Sequence, residues 1–111
     1  MANLSDETCE ACRIDAPLVS QEEAKALLTN LDDWQLIETP INQLQKVFHF
    51  PDYQGSLDFS NKIANLAEQE DHHPKISLEG GKVSVLWWSH KINGLHRNDF
   101  ICASKTDDLY K

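Results

Sequence analysis

The chain has 111 residues, with 10 Lys and Arg against 18 Asp and Glu, so its formal net charge at pH 7 is −8. This length suffices for one hydrophobic core, and 41% hydrophobic with 25% charged residues is typical of a globular protein rather than a disordered one. The acidic balance argues against nucleic acid as a partner, and the absence of a long apolar run argues against membrane insertion. Three cysteines cannot form a disulfide framework, which favours the reducing cytoplasm.

Residues 1–17 are predicted to be a flexible leader, because they are polar and show no periodic apolar pattern. Cys9 and Cys12 in this leader lack a second Cys or His pair at zinc spacing, so we expect them to be unligated thiols. A single domain is expected over 18–111. Its first helix is predicted over 20–30, where a Ser is followed three positions later by a Glu, the spacing of a capping box.

Two strands are predicted next, over 34–38 and 41–50, because apolar and polar side chains alternate in both. Pro51 ends the second strand, and Asp52 can cap the helix that follows. This second helix is predicted over about 53–69, where apolar residues recur at helical spacing.

Gly80-Gly81 predicts a tight hairpin between strands over 75–79 and 82–90, because two glycines readily adopt the positive φ that such turns need. A last helix is predicted over 97–110. The order helix, strand, strand, helix, strand, strand, helix indicates an α+β fold. We therefore expect a two-layer sandwich, a four-stranded antiparallel sheet with three helices packed on one face.

The hairpin register brings distant residues together. With Gly80-Gly81 as a two-residue loop, Ile76 pairs with Val85, and continued pairing would place Asp71 opposite His90. The two histidines that follow Asp71 would then lie near His90. Because proline cannot donate a ladder hydrogen bond, Pro74 leaves the extent of this pairing and the side-chain directions open.

Three histidines are therefore expected at one end of the sheet: His72, His73 and His90. Imidazoles titrate near neutral pH, so such a cluster can both give and take protons, with Glu68 and Asp71 close by. Two other interpretations remain at this point. An adjacent histidine pair can be a solvated helix C-terminus, where a cation favours the dipole. A metal site is also conceivable, although the usual i, i+4 ligand spacing is missing.

These residues also resemble a known family. The pattern Glu68-x-x-x-His72-His73-Pro74, followed by His90 and then by Gly94-Leu95-x-x-x-Asp99, closely resembles the motif of the pterin-4a-carbinolamine dehydratases, also known as the dimerization cofactor of the hepatocyte nuclear factor. The resemblance covers about residues 18–110. One departure is Gly80, where the family usually has an aromatic residue, whose contribution is either missing here or supplied by Trp87 or Trp88.

The resemblance implies a pterin as small-molecule substrate, a 4a-hydroxytetrahydropterin made by an aromatic amino acid hydroxylase, which is dehydrated to a quinonoid dihydropterin. It implies neither a metal nor an organic cofactor. It also implies a homodimer or homotetramer that covers the sheet edges. The alternative is a non-catalytic module of the same fold that stabilises another protein's dimer as a transcriptional coactivator.

The resemblance further implies roles for single residues. His72 and His90 correspond to the acid/base pair, and His73 corresponds mainly to substrate holding. Candidates for substrate binding, or for orienting the imidazoles, are Glu68, Asp71, Ser89 and Asp99. Structural explanations compete with some of these roles, since a carboxylate at Asp99 would also cap the last helix, Glu68 could be a solvated helix end, and Ser89 should face away from His90.

Overall fold

A computed structural model of the chain describes residues 18–29, 31, 33–38 and 41–110. Its elements are α1 (Gln21–Leu28), β1 (Gln35–Ile37), β2 (Gln43–His49), α2 (Tyr53–Glu70), β3 (Lys75–Glu79), β4 (Lys82–Trp87) and α3 (Arg97–Tyr110). The predicted order of helices and strands is confirmed. The predicted leader, with Cys9 and Cys12, lies outside the described residues.

The four strands form one antiparallel sheet in the order β1-β2-β4-β3, so that β2 and β4 are central. Helices α2 and α3 pack on this sheet and on each other, and α1 adds Ala24 and Leu27 to the same core. The predicted α+β sandwich is confirmed. None of the helices in the described part of the chain is long and apolar enough to cross a membrane.

The core lies where the alternating apolar face of the sheet meets the helices. Leu44 pairs with Trp87 and Phe48 with Val83, and all four side chains are buried. Because successive strand side chains point to opposite faces, the residues between them form the other face, on which Val47 is exposed. The helices α2 and α3 pack on the buried face, the one that carries Leu44, Phe48, Val83 and Trp87.

The predicted caps of α1 and α2 are confirmed. The Ser20 hydroxyl accepts a hydrogen bond from the Glu23 N–H, and the Asp52 carboxylate accepts one from the Gly55 N–H. Each cap satisfies a main-chain N–H that has no partner inside the first helical turn. The start of α2 is therefore set by its local sequence.

The hairpin register is also confirmed, with Ile76 opposite Val85. The ladder ends at the pair Lys75–Leu86, however, so the continued pairing that would place Asp71 opposite His90 is wrong. Two physical reasons account for this. Pro74 has no N–H to donate, and beyond Trp87 the chain pairs with itself instead, through the bridge Ser89–Gly94.

Candidate active site

The C-terminus of α2 positions the first two histidines. Asp71 adopts the left-handed conformation, with φ of 50°, and its N–H donates to the Glu68 carbonyl. The next N–H, that of His72, donates to the Ala67 carbonyl at 3.1 Å. These two hydrogen bonds form a Schellman motif, which ends the helix and reverses the chain direction. The motif explains why His72 is buried although it directly follows an exposed helix end.

His72 lies in a buried and polar setting. Its side chain is 3% exposed, and its Nε2 is 2.6 Å from Asp99 Oδ1. The imidazole stacks on Trp87, with ring centroids 5.6 Å apart and 7° between the planes. An ionised carboxylate only accepts hydrogen bonds, so with Asp99 in that form the donor in this contact is Nε2 of His72. Nδ1 is then the ring nitrogen that remains to exchange a proton in the neutral imidazole.

Asp99 is the centre of the buried hydrogen-bond network. It is fully buried, and its Oδ2 accepts the Ser89 hydroxyl at 2.8 Å and the His96 N–H at 2.9 Å. Its Oδ1 is thereby left to His72. Asp99 is the third residue of α3, where the helix dipole favours a carboxylate. The Asp99 side chain thus both caps α3 and holds the His72 imidazole. The sequence had left helix capping, orientation of an imidazole and substrate contact open for this residue.

His73 lies on the surface beside the same helix end. Its Nε2 is 2.8 Å from Glu68 Oε1, and the two side chains are 54% and 79% exposed. An exposed contact of this kind contributes little to stability, whether the imidazole is charged or neutral. The side chains of Glu68 and His73 therefore remain accessible to a ligand.

His90 is supplied by the loop after β4. Its Nε2 lies 2.9 Å from the His73 carbonyl oxygen, and its ring centroid is 4.3 Å from that of Trp88. A carbonyl oxygen only accepts, so this contact also places a proton on Nε2. The bridge Ser89–Gly94 folds the loop back on itself and holds His90 against the α2 end.

A cavity lies between the three histidines. It has a volume of about 380 Å³ and is lined by Asp71, His72, His73, His90 and Lys91. This volume is within the usual range for small-molecule sites. The structure thus brings the three histidines and Asp71 together, whereas Ser89 and Asp99 lie buried behind them. Sequence reasoning did not single out Lys91 or His96, although Lys91 is adjacent to His90.

The departure at Gly80 lies away from this cavity. Gly80 forms the hairpin tip, at the other end of β3 from the histidines, where an added Cβ would meet only Tyr53, at 3.9 Å. Trp87 is the last residue of β4 and Trp88 follows it, at the end of the hairpin opposite Gly80; Trp87 is in the core and Trp88 contacts His90. Neither tryptophan can therefore replace an aromatic ring at the turn.

The histidine cluster does not have the arrangement of a metal site. Among the described residues, no group of three or more His, Cys, Asp or Glu side chains is arranged to hold a metal ion. The contacts of the three imidazoles are instead to carboxylates and to a main-chain carbonyl. The arrangement suits proton transfer by fixed imidazoles.

Comparison with known proteins agrees with this geometry. The model of the family described as pterin 4 alpha carbinolamine dehydratase matches residues 17–109. A protein of Marinobacter nauticus is 51% identical over 111 residues, covering 99% of this chain and 100% of the relative. A protein of Nitrosococcus oceani is 52% identical over 112 residues, covering 100% and 99%. Both carry the name "Putative pterin-4-alpha-carbinolamine dehydratase".

Two solved structures have a similar fold. A transcriptional coactivator/pterin dehydratase from Brucella melitensis superposes with a TM-score of 0.80 and 26% identity, covering 86% of this chain and 100% of the other. A pterin dehydratase-like protein identified as a RuBisCO assembly factor in the alpha-carboxysome gives 0.61 and 24%, covering 70% and 89%. At that identity the second likeness concerns the fold alone.

Proposed function

The chain belongs to the pterin-4-alpha-carbinolamine dehydratase family, and from this premise we propose that it dehydrates a 4a-hydroxytetrahydropterin to a quinonoid dihydropterin. The C4a–O bond breaks, the hydroxyl takes up a proton and leaves as water, and N5 gives up its own proton. The reaction thus needs a proton donor near one atom and a proton acceptor near the other. The observation that carries the proposal is a cavity lined by three imidazoles.

His72 and His90 are proposed as the acid/base pair. Each imidazole is held through Nε2, to Asp99 and to the His73 carbonyl respectively, so Nδ1 is the exchangeable position in both. An imidazole that is neutral at Nδ1 accepts the N5 proton, and one that is protonated there donates to the departing hydroxyl. Which histidine takes which role follows from the pose of the substrate.

The remaining residues hold the substrate or the imidazoles. His73, Glu68 and Asp71 have accessible polar groups at the cavity or beside it, and we propose that they bind the pterin ring. Ser89 and Asp99 act differently, because both are buried and hydrogen-bonded to each other. We propose that they serve the reaction by orienting His72.

The biological setting is part of the same proposal. The carbinolamine is the product of an aromatic amino acid hydroxylase, so the chain would recycle that enzyme's pterin cofactor, in the cytoplasm and without a metal or cofactor of its own.

We further propose a homodimer or homotetramer, because β1 and β3 are the edges of the described sheet and unpaired edges favour association. Light scattering that gave a monomer mass at micromolar concentration would contradict the oligomer.

The experiment uses carbinolamine generated in the assay by a hydroxylase. His72→Ala and His90→Ala should each lower kcat by about 10²–10⁴-fold, the usual contribution of a positioned acid or base. His73→Ala should mainly raise KM. His49→Ala is the matched control, because His49 is an exposed histidine on β2 that does not line the cavity.

The double variant His72→Ala/His90→Ala separates a shared function from two independent ones. If the two imidazoles act as one unit, it should lose less than the product of the two single losses. Circular dichroism must show each variant folded, because His72 is also buried. Near wild-type turnover in all folded variants would refute histidine catalysis.

A non-catalytic binding module remains the second candidate, because the Brucella melitensis structure is titled both transcriptional coactivator and pterin dehydratase. The two candidates differ in one measurement. A wild-type chain that does not accelerate dehydration of authentic carbinolamine would favour the binding module.

A further inference from the structure

The N-terminus of α3 is built around His96, the residue just before the helix. The Nδ1 of its imidazole accepts a hydrogen bond from the Asn98 main-chain N–H at 3.0 Å, and the main-chain N–H of His96 donates to Asp99 Oδ2 at 2.9 Å. The arrangement is a variant of the capping box: the carboxylate of the third helical residue accepts the N–H of the cap, as in the box, but the cap side chain accepts the N–H of the second residue instead of the third. The side chain is buried, with 7% of the residue exposed.

We propose that His96 is a positioning residue for the dehydration, acting through Asp99 on His72; this inference rests on the proposed function. The cap fixes the main-chain conformation at His96, and that conformation aims its N–H at Asp99 Oδ2. Together with the Ser89 hydroxyl, this N–H occupies one carboxylate oxygen. The other oxygen is thereby directed at His72 Nε2.

The chain of contacts explains why a residue outside the cavity should affect the reaction. Asp99 does not line the cavity, and it is hydrogen-bonded to His72, which does. Without the cap, the main chain at residue 96 is no longer held in the conformation that aims its N–H at Asp99. The Asp99 carboxylate then loses one of the two donors that fix its plane. As a result, the His72 imidazole no longer has a fixed partner at Nε2. A displacement of about 1 Å in a catalytic group can cost about 10²-fold in rate.

The imidazole is an unusual cap, since helices mostly begin with Ser, Thr, Asp or Asn. It can accept the Asn98 N–H only through an unprotonated Nδ1. A substitution can therefore separate the cap from the ring. His96→Asn removes the ring but keeps a side-chain acceptor at the cap, whereas His96→Ala removes both.

The test measures kcat and KM for the full-length protein on hydroxylase-generated carbinolamine. His96→Ala should lower kcat by about 10- to 100-fold, within the range expected for a misplaced catalytic group, and leave KM within about twofold. His96→Asn should recover most of the loss. A helix cap that only supported the fold would lower the melting temperature without this split between kcat and KM and without the rescue.

A second measurement does not depend on activity. Nitrogen-15 NMR of the imidazoles reports which ring nitrogen of His72 carries the proton. In the wild type and in His96→Asn, we expect the proton on Nε2, and in His96→Ala a mixture of the two tautomers. If His96→Ala does not fold, His96→Gly replaces it, because glycine is tolerated at a helix cap and also lacks the imidazole.

The outcomes distinguish this inference from the proposed function. An inactive wild type whose His72 tautomer still depends on the cap would refute the dehydratase and leave the positioning contact standing. An active wild type with unchanged kcat and unchanged His72 tautomer in folded His96→Ala would overturn the inference. A loss confined to KM would also overturn it, because it would assign His96 to substrate binding.

Discussion

Asp99→Asn tests the buried network most directly, because it keeps the shape of the side chain and replaces one oxygen by an amino group. Oδ2 faces two donors, the Ser89 hydroxyl and the His96 N–H. The hydroxyl can rotate, but the main-chain N–H can only donate. The amide oxygen of the asparagine must therefore take the Oδ2 position, which leaves its amino group facing His72.

The consequence is an inverted tautomer at His72. An amide amino group only donates, so it can hydrogen-bond Nε2 only when that nitrogen carries no proton. In the neutral imidazole the proton then moves to Nδ1, which is the position we assign to proton exchange. The substitution thus disables His72 as a proton acceptor at Nδ1 and, if His72 is the acid, removes the carboxylate that stabilises its protonated form. No heavy atom needs to move far for either effect.

Two magnitudes follow from the structure. The His72–Asp99 contact is 2.6 Å long and shielded from water, with Asp99 fully buried. The variant exchanges a hydrogen bond to a charged group, worth about 1.5–3 kcal/mol, for a neutral one worth about 0.5–1.5 kcal/mol, so we expect the free energy of unfolding to fall by about 1–2 kcal/mol. Loss of acid/base catalysis costs about 10²–10⁴-fold, so kcat should fall in that range while KM changes less.

Asp107→Asn provides the control on the same helix. The Asp107 carboxylate accepts the Trp34 indole N–H and contacts Lys46 at 2.8 Å, away from the cavity. We expect it to destabilise the fold in urea denaturation but to leave kcat unchanged. A folded Asp99→Asn variant with wild-type kcat, or an equal loss in Asp107→Asn, would refute the proposed mechanism.

Three further predictions concern the fold and the chemistry. Asp71→Gly should stabilise the protein by up to about 1 kcal/mol in urea denaturation, because it relieves the left-handed conformation at φ of 50°, and a loss of stability would contradict the Schellman assignment. Phe48→Ala should destabilise by about 3–5 kcal/mol, because the ring is 1% exposed and contacts Trp34 and Phe59; thermal unfolding close to wild type would argue against this core. A chelator should leave turnover unchanged, because the proposed proton transfers need no metal. Inactivation by the chelator would instead indicate a bound metal, with Cys9 and Cys12 as its candidate ligands.

Local rules were sufficient for much of the fold. The caps at Ser20 and Asp52 and the order of the elements follow from residues near one another in the chain. The hairpin register follows from Gly80-Gly81, because a two-residue turn determines every pair behind it. The family resemblance, confirmed by the match over residues 17–109, likewise rests on the spacing of a few polar residues.

The approach of the three histidines was predicted for a partly wrong reason. The sequence predicted continued strand pairing between Asp71 and His90, whereas the structure brings them together through a helix end and a loop. The left-handed conformation at Asp71 was not predicted, because aspartate adopts it only occasionally and no nearby glycine or asparagine in the sequence marks the helix end.

What the sequence by itself determined is therefore the set of elements and the polar residues available at one end of the hairpin. Only the tertiary structure decided that Asp99 is buried beneath His72, that the Ser89 hydroxyl donates to it, and that the His96 N–H does the same. The physical reason is burial. A carboxylate removed from water must be satisfied by donors, and which distant groups supply them depends on how α3 packs against the sheet and the end of α2.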